Sequence, residues 1–153
     1  MHKSFYASGF LYHLRTQQIL LHQPNLNNNS LSLWTMLGGA GREGEEAQEV
    51  FKRIIYQLLN LRLDEKCIYP VYDYFYGAME ITHYVFYAKV NKIYDFSLLD
   101  KGTLSWFTFK QTTKLPFSEQ TKQNIIVSQR VIQAQARSSE PGIIPTPRVI
   151  YKT

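Results

Sequence analysis

The chain has 153 residues, 44% of them apolar and 19% charged, with a formal net charge of +5. That length suits one folded domain and is too short for two ordinary ones, and the composition excludes a disordered chain. No stretch reaches the roughly 18 uninterrupted apolar residues of a membrane helix, and the lone cysteine, Cys67, excludes an internal disulfide and speaks against a cysteine-built zinc site. The expectation is a soluble protein of a reducing compartment, the cytoplasm by default, with no membrane partner. The charge is uneven: eleven basic residues face ten acidic ones up to Thr113, and six face two from Lys114 onward. A basic solvated helix explains that bias, and an anionic partner is the sharper alternative. Without an arginine run or an RNA-binding aromatic pattern, nucleic acid is not an expected partner.

The N-terminal MHKSFYASGFLYHL alternates and is broken by Ser8 and His13, so it reads as a strand and not as a signal peptide. Residues 5–14 and 17–22 form two strands, joined at Arg15-Thr16 in a hairpin. Residues 23–33, with Pro24 and four asparagines, are turn chemistry. A short strand over 34–37 runs into Gly38-Gly39, and a helix follows over about 45–60. Two tyrosine-rich alternating strands, 67–76 and 80–90, flank a turn at Gly77-Ala78, and Pro70 places the first at an edge or a bulge. A loop over 91–102 precedes a strand over 104–109. The last helix begins after the cap Ser118 and reaches about 137, burying Ile125, Ile126, Val131 and Ile132. Pro141, Gly142, Pro145 and Pro147 bar a helix over 138–153, which is expected to be an extended tail following a domain of residues 1–137.

Residues 34–61, WTMLGGAGREGEEAQEVFKRIIYQLLNL, carry the densest pattern: a strand, a glycine-rich loop and an amphipathic helix in immediate succession. Glycines let backbone approach a phosphate, and the helix N-terminus behind them favours an anion. This stretch resembles the signature box of the Nudix hydrolases, which cut nucleoside diphosphates linked to another group. Anchored on Gly39, the box keeps its first glutamate as Glu45, its arginine as Arg53, and its apolar positions as Ile55 and Leu61. Gly38, Gly44 and Trp34 also fit. The resemblance is sharp over 34–61 and extends by element order over about 3–137. It implies an α/β (α+β) fold, a sandwich of mixed sheet between helices, with Glu45 and Arg53 paired to brace loop against helix. It also implies Gly38 and Gly39 as phosphate-binding residues and a nucleotide or nucleoside-diphosphate derivative as ligand; Arg42, which departs from the family, could grip a phosphate through its guanidinium or be a surface arginine.

The departures fall on chemistry. Where the family has metal-binding glutamates, this chain has Ile54, Gln57 and Leu58. Asn60 replaces the glycine that ends the helix, and Arg42 reverses the charge of a usual loop glutamate. An arginine common at the end of the second strand is missing, with His22, Gln23 and Pro24 in its place. Family hydrolysis needs Mg²⁺ or Mn²⁺, and Mg²⁺ wants hard oxygen ligands that isoleucine and leucine do not supply. At about 100° per residue, Val50, Ile54 and Leu58 form one apolar row and Phe51, Ile55 and Leu59 the next. That row is expected to be covered by the chain itself, or by a second copy in a homodimer.

Three readings stay open. In the first, a Nudix-like protein has lost hydrolysis and binds a nucleotide-like ligand or a protein. In the second, hydrolysis persists on a relocated acidic set drawn from Glu43, Glu45 and Glu49; Glu46 belongs to the same cluster, which at a helix start is otherwise a solvated feature. In the third, the apolar helix row is an assembly interface. Glu80 or Asp73 could supply a base from strands beyond the box. His2, His13, His22 and His83 lack ligand spacing. Trp34, Trp106, Tyr72, Tyr74 and Tyr84 could stack a base or simply pack, and the tail's Ile143-Ile144 and Val149-Ile150-Tyr151 could fill a groove.

Overall fold

In the computed structural model, which describes residues 4–24, 32–78, 80–94, 96 and 102–138, the alternating segments pair into a six-stranded mixed sheet. Its elements are β1 (Phe5–His13), β2 (Gln18–Pro24), β3 (Leu37–Ala40), α1 (Ala47–Leu59), β4 (Ile68–Tyr76), β5 (Ile81–Val90), β6 (Gly102–Thr108), α2 (Phe109–Thr112) and α3 (Glu119–Ser138). The strand order is β4-β5-β1-β2-β6, with β3 also paired to β1. β1 runs parallel to β5 over its whole length, while its other edge is shared: β3 pairs with its first half and β2 with its end, both antiparallel. β1 is therefore the strand around which the sheet is built.

Alternation along β1 sorts two cores. Ala7 and Leu11 point into a cluster with Val50, Phe51, Ile54, Ile55 and Leu59 of α1, while Phe10 and Tyr12 point into a second cluster with Ile125 and Ile132 of α3. The α/β/α sandwich implied by the sequence is present. In α1 the buried residues recur at one-, three- and four-residue intervals, as a core-facing helical stripe requires. The helix stops because Asn60 takes the left-handed conformation (φ 55°), and its N–H bonds the Tyr56 carbonyl.

Several boundaries differ from the sequence reading. The third strand covers 37–40 and not 34–37, so Gly38 and Gly39 are strand residues, paired with Ser8 and Ala7. Trp34 lies before it, packed edge-on against Phe107, and Thr35 exchanges two backbone hydrogen bonds with His22. α1 opens at Ala47, leaving Glu45 in the loop. Phe109 leaves the last strand to begin α2, because Thr108 caps it by accepting from Gln111 N–H. β2 extends to Pro24, which pairs with Gly102. Pro70 meets both expectations: β4 is at the edge of the sheet, and its register shifts between Pro70 and Tyr72.

The last helix starts after Ser118, whose Oγ accepts from Thr121 N–H, and ends at Ser138. Its buried side is Asn124, Ile125, Ser128 and Ile132; Ile126 is 38% exposed and Val131 only partly covered. The face follows four-residue steps from 124, and Ile126 lies a further 100° round the helix from Ile125. Asn124 and Ser128 thus share the buried side with Ile125 and Ile132, in place of the expected Ile126 and Val131. Residues 139–153, expected as a tail, lie outside the described residues.

Candidate functional site

The box folds into a braced corner. Gly41 N–H bonds the Phe5 carbonyl, and at Gly44 (φ 87°) the chain turns through a conformation that favours glycine. Glu45 then closes the loop: its Oε1 accepts from Arg42 N–H at 2.8 Å, and its N–H donates to the Arg42 carbonyl at 3.0 Å. Arg53, two turns into α1, grips the same carboxylate bidentately, Nε to Oε2 at 2.8 Å and Nη2 to Oε1 at 3.0 Å. Nη2 also donates to the Ala40 carbonyl at the end of β3. One guanidinium thereby joins strand, loop and helix. The Arg53 hydrogen bond holds the Glu45 carboxyl below its ordinary value, and the same bond pushes the Arg53 guanidinium up.

This brace gives a direct prediction. A lowered Glu45 pKa means the pairing contributes above the ordinary carboxylate range and is lost as pH falls through the lowered value. Arg53→Ala should therefore raise amide exchange across residues 41–46 at neutral pH, and acidifying the wild type should have the same local effect. Global stability should fall by only about 1 kcal/mol, since the pair is solvent-accessible. Unchanged loop exchange in Arg53→Ala would contradict the brace.

The helix face matching the family's metal-binding glutamates is packed against the chain itself. Ile54 is buried, and a Cβ placed on Gly39 would lie 2.5 Å from the Ile54 Cδ1. The glycine leaves a gap in β3, and the Ile54 side chain fills it. Leu58 is partly buried against the α1-side core, while the Gln57 carbonyl accepts from Arg53 Nη1 at 3.4 Å. The first two positions of the apolar row, Val50 and Ile54, are thus covered by the chain itself. A hard divalent cation does not fit this set: two hydrocarbon side chains and one amide oxygen already facing a guanidinium.

The neighbouring acids are engaged or dispersed. Glu45 serves the brace, and Glu49 Oε1 accepts from Glu46 N–H at 2.7 Å as part of the helix start. Glu43 and Arg42 are exposed on the loop, and Glu80 and Asp73 are exposed on the β4–β5 side of the sheet. Among the described residues no three His, Cys, Asp or Glu side chains converge as a metal site would require. Gly38, like Gly39, is closely approached by the chain: a Cβ there would meet the Ser8 Cβ at 2.6 Å.

A second concavity, about 250 Å³, lies on the α3 side of β1. Tyr6, Ser8, Tyr74, His83, Gln120 and Asn124 line it, contributed by β1, β4, β5 and α3. The rings form a stack. His83 lies between Tyr6 and Tyr74, with centroids 5.3 and 5.0 Å away and planes within 30°. The Tyr74 hydroxyl and His83 Nδ1 are 3.1 Å apart in a hydrogen bond, and burial pulls the imidazole below its ordinary value, which favours the neutral ring. Asn124 is buried, and its Oδ1 accepts from Tyr72 Oη at 2.7 Å and Gln120 Nε2 at 3.0 Å.

Tyr74, with Tyr72 behind it, is a base-stacking candidate of the sequence that does reach this pocket, whereas Tyr6, Ser8, His83, Gln120 and Asn124 are not named there for such a role. The available signal was the spacing of Gln120, Asn124 and Ser128, which puts polar side chains along the inner face of a helix. Trp34, Trp106 and Tyr84 belong to core packing: Trp34 meets Phe107, Trp106 donates from Nε1 to the Tyr94 carbonyl, and Tyr84 meets Phe5 edge-on.

No family model and no curated protein matches the chain. Solved structures do. A mutT/nudix family protein from Listeria innocua superposes with a TM-score of 0.68 at 15% identity, covering 89% of this chain and 96% of its own. The NUDIX domain of Shewanella oneidensis NrtR, solved with ADP ribose, gives 0.66 at 15%, covering 86% and 90%. The C-terminal domain of mouse MUTYH, solved in complex with human PCNA, gives 0.64 at 10%, covering 99% and 100%. The chain has the Nudix fold.

Proposed function

We propose that this Nudix-fold chain works by binding a nucleotide-like ligand, with metal-dependent pyrophosphate hydrolysis impaired or lost. The observation that carries the reading is the packing of Ile54 onto Gly39. The loop–helix frame is intact through Glu45 and Arg53, but the positions that would present carboxylates to Mg²⁺ or Mn²⁺ hold a buried Ile54, a partly buried Leu58 and the Gln57 amide. Retaining the frame without the ligands suits a protein selected to hold a shape. The aromatic and amide-lined pocket on the α3 side supplies a place for a planar ligand, and the NrtR domain of the same fold was solved with ADP ribose. Hydrolysis on Glu43, Glu45 and Glu49 is less well supported, because two of the three already bond within the loop and helix start.

A panel of nucleosides, nucleoside diphosphates and their sugar derivatives, ADP ribose included, tests this with and without Mg²⁺ or Mn²⁺. The expected result is thermal stabilisation by at least one member and no metal-dependent release of phosphate products. Multiple-turnover hydrolysis abolished by chelation would overturn it.

A further inference from the structure

Resting on the pocket-binding reading above, we infer that the preferred ligand is an uncharged planar ring system, a nucleobase or nucleoside, and not a nucleoside diphosphate. Three observations converge. First, the pocket between β1, β4, β5 and α3 is lined without a single Lys, Arg, Asp or Glu. Its polar atoms come from hydroxyls, amides and one imidazole, groups that recognise the edge of a heterocycle but do not neutralise phosphate. Moving two or more negative charges next to such a wall costs solvation that no cation returns.

Second, the size is small. At about 250 Å³ the pocket is below the range of roughly 300–1,000 Å³ typical of sites for larger ligands. Its walls are planar: the Tyr6–His83–Tyr74 stack gives a ring surface with little conformational freedom to lose. Asn124 is held in one orientation because its oxygen already accepts from Tyr72 and Gln120. The chemistry is that of an aromatic wall beside an amide edge.

Third, the glycines that could let backbone approach a phosphate are filled by the protein. The open face that glycine provides at Gly39 is taken by the Ile54 δ-methyl, and the one at Gly38 by Ser8. The Arg53 guanidinium is committed to Glu45, Ala40 and Gln57. Neither a metal set nor that cation is free to take the charge of a diphosphate reaching toward α1.

The test is calorimetric titration of purine and pyrimidine nucleosides and their 5′-diphosphates into the full chain, with chelator present, at low and high salt. The best nucleoside should bind at least as tightly as its diphosphate, and its affinity should be indifferent to salt, as befits an uncharged ligand. Tyr74→Ala, on the sheet edge, should weaken nucleoside binding about tenfold through lost stacking while the melting temperature stays close to wild type. Asn124→Leu is a second probe of the amide edge. A diphosphate that binds clearly tighter than its nucleoside would overturn this inference and leave the binding reading standing. Absence of binding by every nucleoside and diphosphate would overturn both. Tight nucleoside binding unaffected by Tyr74→Ala and Asn124→Leu would place the ligand elsewhere and overturn the assignment to this pocket.

Discussion

Ile54→Glu, the single change that puts back a family carboxylate, should destabilise the protein by about 3–5 kcal/mol and fail to gain stability from Mg²⁺. For a chain of 153 residues that loss corresponds to a fall in Tm on the order of 10 °C. Ile54 is only 9% exposed and its terminal methyl fills the space above Gly39, inside a cluster with Val50, Phe51 and Ile55. A carboxylate there has hydrocarbon on most sides. The nearest guanidinium, on Arg53, already grips Glu45 in a bidentate pair and bonds the Ala40 carbonyl, so pairing with the new charge means breaking the loop brace. Ile54→Val, which removes one methylene and adds no charge, should cost about 1 kcal/mol and separates the volume effect from the charge effect. Thermal melts with and without Mg²⁺ check the result. If Mg²⁺ raised the Tm of Ile54→Glu but not of wild type, a cation site would be reassembling by mass action, and the covered face would be a readily reversible loss.

The brace is legible in the sequence because both partners sit in one short, ordered stretch, and a bidentate Glu45–Arg53 pair is local to a loop and the helix it opens. The covering of Ile54 is half legible. Periodicity assigns Val50, Ile54 and Leu58 to one row, but only the placement of Gly38 and Gly39 within β3 shows what the row meets. Those glycines read as loop because glycine is a weak strand former. Pairing with Ala7 and Ser8 on the central strand overrides that preference. The pocket is the least legible feature. Its residues come from four elements and are separated by more than 110 positions, and Asn124 sits where helical periodicity alone asks for an apolar residue. Its hydrogen bonds from Tyr72 and Gln120 make that burial tolerable, and no local pattern announces them. What the sequence does offer is a mismatch: Ile126 reads as core and is exposed, Asn124 reads as surface and is buried. A helix whose polar residues face inward is where a binding surface is to be sought.

Gly9→Ala should be among the most damaging small substitutions at the described residues, with a loss of at least about 3 kcal/mol or no folded protein. The reason is the traffic around β1. Gly9 pairs with Phe86 of the parallel neighbour β5 on one side and with Leu37 of β3 on the other. A Cβ on Gly9 would come within 2.1 Å of the Phe86 carbonyl oxygen, 2.8 Å of its carbon and 2.9 Å of the Phe51 ring. A flexible side chain can yield by a rotamer change, but a backbone carbonyl in the middle of a sheet cannot move without breaking its pairing. Shifting β1 toward β3 instead would disturb the corner that Arg53 ties to Ala40. Phe51 lies across this contact, stacked on Phe86 with ring centroids 5.7 Å apart. Phe51→Leu would remove the weaker of the two conflicts, so Gly9→Ala combined with Phe51→Leu should remain as unstable as Gly9→Ala alone, or more so, because the Phe86 carbonyl is still in place. Urea unfolding of the two variants separates these causes. Recovery of stability in the double variant would mean the ring, and not the β5 backbone, sets the requirement for glycine at the centre of the sheet.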